Sequence, residues 1–140
     1  MAYRQRIDVG GYHLCIESAG AGSPTVIFES GMGCGATSLA NLAAEVQQFT
    51  RTVIYDRAGL GQSDPAPTPR TSQDVVDDLW RLLQQAQIEG PYLLVGHSFA
   101  GLHLRLFIHQ HPQVVAGLVL LDASHPDQTL RDLPLLPPPA

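Results

Sequence analysis

Tyr92-Leu-Leu-Val-Gly-His-Ser-Phe-Ala-Gly-Leu102 is the stretch on which the reading of this chain turns. Tyr92 to Val95 is an apolar run of strand length. A helical pattern begins at Phe99. Between them lies Gly96-His-Ser-Phe-Ala100, a G-x-S-x-A form of the strand–turn–helix motif G-x-S-x-G. A strand that turns at once into a helix brings the positions two before and two after the serine close together. Gly96 leaves room there, and Ala100 adds a single methyl group. Ser98 is expected at the tip, strained, with its hydroxyl exposed above the new helix N-terminus. The free N–H groups of a helix N-terminus favour negative charge. The motif therefore suits a serine nucleophile whose attack generates an oxyanion.

The flanking sequence supplies the matching elements. Arg4–Val9 and Tyr12–Ser18 read as two short strands around a tight turn at Gly10-Gly11. Thr25-Val-Ile-Phe28 and Thr52-Val-Ile-Tyr55 are continuous apolar runs, as in strands buried on both faces of a parallel sheet. A helix over 38–48 carries Leu39, Leu42, Ala43 and Val46 at helical spacing. Thr71-x-x-Asp74 resembles a capping box with Asp in place of Glu. The helix it opens carries Val75, Val76, Leu79, Leu82, Leu83 and Ala86 on one face, with Asp74, Asp77 and Asp78 towards its positive end. Gly90-Pro91 ends it. The helix after Ser98 runs to about His111, and Val115–Leu121 is a sixth strand ending at Asp122. Residues 126–140, with Leu133-Pro-Leu-Leu-Pro-Pro-Pro139, read as a Pro-rich tail or the start of an insertion, distinct from a core over 1–125. Strands alternating with helices predict an α/β fold: a mostly parallel sheet with flanking helices and right-handed crossovers. In such sheets ligands bind at the carboxyl ends of the strands. The segments 29–35, 56–64, Ser98 and Asp122 all follow carboxyl ends.

Composition narrows the function further. The 140 residues carry 13 acidic and 8 basic side chains, the basic ones scattered. No patch for nucleic acid or an anionic membrane emerges. No apolar run approaches the ~20 residues that span a bilayer. The N-terminus lacks the apolar core of a signal peptide. Cys15 and Cys34 have no C-x-x-C spacing and read as two free thiols of a cytoplasmic protein. No His/Cys/Asp set has zinc-ligand spacing. The glycine-rich loops lack the phosphate-binding patterns. No cofactor is expected.

Three motifs together resemble the α/β-hydrolase superfamily: Glu29-Ser-Gly-Met-Gly33, Asp56-Arg-Ala-Gly-Leu-Gly-Gln-Ser-Asp64 and Gly96-His-Ser-Phe-Ala-Gly101. The resemblance runs from about residue 4 to 125. It implies that Ser98 is the nucleophile and that Phe99 N–H is one oxyanion donor. The other would come from the loop after the third strand, at Met32, where many members have His-Gly in place of Ser30-Gly31. Gly31, Gly96, His97 and Ala100 would support the site. The 56–64 loop is mostly architectural in the family. Such folds usually have eight strands, with a catalytic acid after the seventh and a histidine after the eighth. This chain supplies six, so it reads as the N-terminal half of such an enzyme.

A serine nucleophile at Ser98 requires a histidine base within hydrogen-bond reach. His97 is turned aside by the elbow. His103, His109 and His111 ride the following helix and are expected to face solvent or neighbours. His13 lies in the N-terminal hairpin. His125 is the one near the strand tips. Asp122 is either the acid, as in relatives that place it after strand six, or a structural carboxylate capping the next turn. The expectation is therefore a serine hydrolase acting on a small ester-like substrate, with its catalytic histidine outside this chain. A non-catalytic binding module on the same fold is the alternative. A partner, either the C-terminal half of the enzyme or another copy, is expected against strand 115–121, whose open edge is apolar on both faces.

Overall fold

Thr25–Glu29, the third strand (β3), has every residue buried, and the rest of the sheet is arranged about it. The computed structural model describes residues 3–132. In chain order the other elements are β1 (Tyr3–Asp8), β2 (His13–Ala19), a 3-10 turn (Ala36–Leu39), α1 (Ala40–Val46), β4 (Thr52–Tyr55), α2 (Ser72–Gln85), β5 (Tyr92–His97), α3 (Ala100–Gln110), β6 (Val115–Leu121) and α4 (Gln128–Asp132). The sheet order is β1-β2-β4-β3-β5-β6. β1 with β2 and β2 with β4 are antiparallel; β4, β3, β5 and β6 run parallel. The carboxyl ends of those four strands therefore share one edge of the sheet.

Alternation along the strands builds two cores. Ile27 and Leu94 point to one face, where Val76, Leu79, Leu82 and Leu83 of α2 meet Leu104 and Phe107 of α3. Val26, Phe28 and Val95 point to the other, against Ala43 of α1. The continuous apolar runs are thus explained by helices on both faces, as expected. At the far end, Asp8 Oδ1 accepts from the N–H groups of Gly10 (2.7 Å) and Gly11 (2.8 Å), which hold the hairpin turn in left-handed conformations. The capping box forms: Asp74 N–H donates to Thr71 Oγ1 at 3.3 Å, and Thr71 N–H donates to Asp74 Oδ2 at 2.7 Å.

Two local expectations need correction. The helix over 38–48 is a 3-10 turn followed by the shorter α1, because Gly35 and the Asp56 contact described below set its start. Of the three aspartates assigned to the α2 dipole, only Asp74 lies in the first turn. Asp78 is buried instead, paired with Arg70 and accepting from Tyr12 Oη at 2.5 Å. After β6, Gln128–Asp132 forms the short helix α4. The Pro-rich run 133–139 lies outside the described residues.

β6 contrasts with β3. Its sequence is as apolar, but it sits at the sheet edge, with Val119 40% and Leu120 36% exposed. Consecutive strand residues point to opposite faces, so both faces of this edge are open.

Candidate active site

The turn from β5 into α3 is built around Ser98, whose φ is +52°. A non-glycine residue held there costs on the order of 1–3 kcal/mol and persists only where its surroundings fix it. Ser98 N–H donates to Leu121 O at 3.2 Å. Ser98 O accepts from Gly101 N–H at 3.1 Å and Ser124 N–H at 2.9 Å. The tip of β6 and the segment after it therefore lock the serine in place. Crowding explains the small residues. A Cβ on Gly96 would lie 2.7 Å from Leu104 Cδ1 and 3.4 Å from Ala100 Cβ. One on Gly101 would lie 2.8 Å from Ala123 Cβ.

The loop after β3 lies against this turn. A Cβ on Gly31 would sit 3.4 Å from Ser98 Cβ and 3.1 Å from His97 Nδ1. Cys34 N–H donates to Gly31 O at 3.2 Å, closing a tight turn whose third residue, Gly33, has φ +69°. Glycine is favoured at that position of such a turn. Met32, the second residue, is 68% exposed. Neither Met32 N–H nor Phe99 N–H donates to any group among the described residues.

Behind the loop is a buried charged cluster that the sequence reading missed. Glu29, 0% exposed at the end of β3, takes His103 Nδ1 and, at 3.3 Å, Arg57 Nη1 on the same oxygen, Oε1. Arg57 also donates from Nη1 to Ser30 O and from Nη2 to Gly31 O at 2.5 Å. His103 is buried against neighbours rather than turned to solvent, the second of its two expected surroundings. It shares the inner face of α3 with Ala100, Leu104 and Phe107, and that spacing was the available signal. Its ring meets Phe99 edge-on at 4.7 Å. Tyr55 is buried beside the cluster. Burial first, then the Glu29 charge, push its phenol well above the ordinary range and keep it neutral.

The 56–64 loop is pinned by Asp56. Its carboxylate accepts from Ala36 N–H at 2.7 Å and Gln62 N–H at 3.0 Å. Gly35 and Gly61 make room for it: a Cβ on Gly61 would fall 2.3 Å from Asp56 Oδ2. Ser63 Oγ donates to Asp56 O at 2.6 Å and accepts from Cys15 N–H at 2.8 Å, joining the loop to β2. The D-x-x-G-x-G-x-S spacing is thus a carboxylate clamp with one gap at its second glycine, Gly61, and a further gap outside it at Gly35.

The remaining candidates lie as follows. Asp122 is exposed at the tip of β6 with φ +43°. His125 Nδ1 faces Asp127, accepting from its N–H at 3.1 Å. His13 Nδ1 lies 3.3 Å from Asp64. His111 stacks on Trp80 at 4.0 Å, and burial lowers its pKa. A cleft of about 760 Å³ lined by Arg51, Trp80, Glu89, Tyr92 and Val114 opens at the amino ends of the strands, away from Ser98.

The family described as "alpha/beta hydrolase fold" matches residues 24–138. The chain belongs to the α/β-hydrolase family. Among its relatives, the protein YqjL of Bacillus subtilis is 32% identical over 105 residues, 75% of this chain and 42% of YqjL. A protein of Hormonema carpetanum named as the probable transporter efuK is 33% identical over 126 residues, 84% of this chain and 18% of efuK. A thermophilic esterase from Thermogutta terrifontis superposes with a TM-score of 0.77 at 25% identity, covering 92% of this hydrolase-fold chain and 50% of the esterase. The chain thus spans half or less of these relatives. No helix of the described residues is long and apolar enough to cross a membrane.

Proposed function

We propose that the chain carries the nucleophile of a serine hydrolase acting on a small ester-like substrate. The observation that carries this reading is Ser98 at φ +52° on the strand tip, with two uncommitted N–H groups on the segments beside it. Ser98 Oγ would attack the carbonyl carbon, and a histidine supplied from outside these residues would take its proton. The carbonyl oxygen would become an oxyanion held by Met32 N–H and Phe99 N–H; one such donor is worth roughly 2.7–4 kcal/mol. Collapse would release the alcohol, protonated by that histidine, and leave an acyl-enzyme that water hydrolyses. Asp122 is the candidate acid to orient the histidine. His97 supports the turn. No cofactor takes part. Cys15 and Cys34, both unpaired, fit a cytoplasmic setting.

The open edge of β6 belongs to the same reading. A sheet edge exposing Val119 and Leu120 without charge or proline invites another strand. We expect it to be covered by the segment that completes the fold, or by a second copy. Light scattering on purified chain should return a mass above that of one copy. A monodisperse monomer that unfolds cooperatively would contradict this.

One observation favours the alternative of a binding module. His13, His103 and His111 are engaged by Asp64, Glu29 and Trp80 rather than by Ser98. Hydrolysis of p-nitrophenyl acetate decides between the two. The 140-residue chain alone should turn over little, since nucleophile-lacking or base-lacking serine hydrolases retain only ~10³–10⁴-fold over water. The assembled enzyme, meaning the chain with the segment completing its sheet, should turn over fully. Full turnover by the chain alone would place the base within it, at His125 first. No turnover by either would leave the binding module.

A further inference from the structure

Among the buried charged groups, Arg57 plays no part in the clamp around Asp56. It sits next to that clamp, yet its guanidinium leaves the 56–64 loop and grips the carbonyls of Ser30 and Gly31. Those carbonyls belong to the peptide units that precede Met32. The Gly31 carbonyl and the Met32 N–H are the two ends of one planar trans peptide, so they point in opposite directions. Fixing one fixes the other. Gly31 O is held twice, by Arg57 Nη2 at 2.5 Å and by Cys34 N–H at 3.2 Å. The N–H of Met32 is thereby aimed away from Arg57. A cationic donor on the carbonyl end also draws electron density from that peptide, making the N–H at its other end a stronger donor.

We propose that Arg57 is a positioning residue: it orients and polarises the Met32 N–H as an oxyanion donor, with Glu29 as its anchor. This rests on the serine-hydrolase reading above. Glu29 Oε1 holds Arg57 on one side and His103 on the other. His103 in turn backs the ring of Phe99, the residue that supplies the second N–H. One buried carboxylate thus joins the two segments that carry the two donors. A bidentate guanidinium is required. A lysine ammonium is a point charge that does not span two carbonyls and a carboxylate in one plane.

The test compares the assembled enzyme with its Arg57→Lys and Arg57→Ala variants. In Arg57→Lys, kcat for an activated ester is expected to fall by roughly 10²-fold, the effect of losing one oxyanion donor, with KM unchanged. Guanidinium added to Arg57→Ala is expected to restore part of the lost kcat, and to restore nothing in Ser98→Ala. A crystal structure of Arg57→Lys should show the Gly31–Met32 peptide rotated. A Lys variant with wild-type kcat, or with altered KM alone, overturns the proposal. If Arg57→Ala does not fold, the Lys variant carries the kinetic comparison. A wild-type enzyme that neither turns over ester nor reacts with a fluorophosphonate rejects the hydrolase reading itself. The variant structure then still decides the proposal: an unmoved Gly31–Met32 peptide overturns the orienting role of Arg57, and a rotated one upholds it.

Discussion

Asp56→Ala is expected to lower the stability of the assembled enzyme by about 3–5 kcal/mol, the sum of one buried and one part-buried hydrogen bond to a charged acceptor. The carboxylate is 3% exposed and serves Ala36 N–H and Gln62 N–H together. Removing it orphans both donors and empties the gap between Gly35 and Gly61. Domains of this kind are stable by only ~5–15 kcal/mol, so the loss is a large fraction of the total. Asp56→Asn should recover little, because its NH₂ group faces one of the two donors. Gly61→Ala should be comparably harmful from the other side, since its Cβ would lie 2.3 Å from Asp56 Oδ2 at a backbone φ of +52°. Denaturant midpoints at unchanged m-value measure all three. A midpoint for Asp56→Ala equal to wild type would contradict the clamp.

Ser98→Ala is expected to reduce kcat of the assembled enzyme by roughly 10⁶-fold, the scale seen on removing the nucleophile of a serine protease. That equals about 8 kcal/mol of transition-state stabilisation. Stability should hardly change. The hydrogen bonds that lock residue 98 are made by its backbone, to Leu121 O and from Gly101 and Ser124. Burst and steady-state kinetics on p-nitrophenyl acetate, with thermal unfolding alongside, separate the two effects. A Ser98→Ala enzyme that keeps more than a trace of turnover would remove Ser98 from the chemistry.

The sequence was most legible where structure is local. Ser98 and its turn were readable because Gly96, Ala100, the preceding strand and the following helix lie within a dozen residues. The sheet was readable because burial on both faces leaves continuous apolar runs such as Thr25–Phe28 and Thr52–Tyr55. The cluster of Glu29, Arg57 and His103 was not read. Its members are 28 and 74 residues apart in the chain, and no local pattern encodes a contact of that span. Glu29 and Arg57 did carry a mark, a charge at the end of a buried strand or two residues beyond it, but that mark alone does not name a partner. Asp78 failed for the same reason. It reads as a dipole residue near the helix start but lies beyond the first turn, and its contacts with Tyr12 and Arg70 explain why it is buried.

The central claim is that Ser98 is a nucleophile, and covalent trapping tests it most directly. The assembled enzyme is treated with a fluorophosphonate, digested, and its adduct located by mass spectrometry. The account predicts one phosphonyl group, on the Ser98 oxygen, formed with loss of esterase turnover and absent from Ser98→Ala. An adduct on another serine, or none on a preparation that hydrolyses esters, would contradict it.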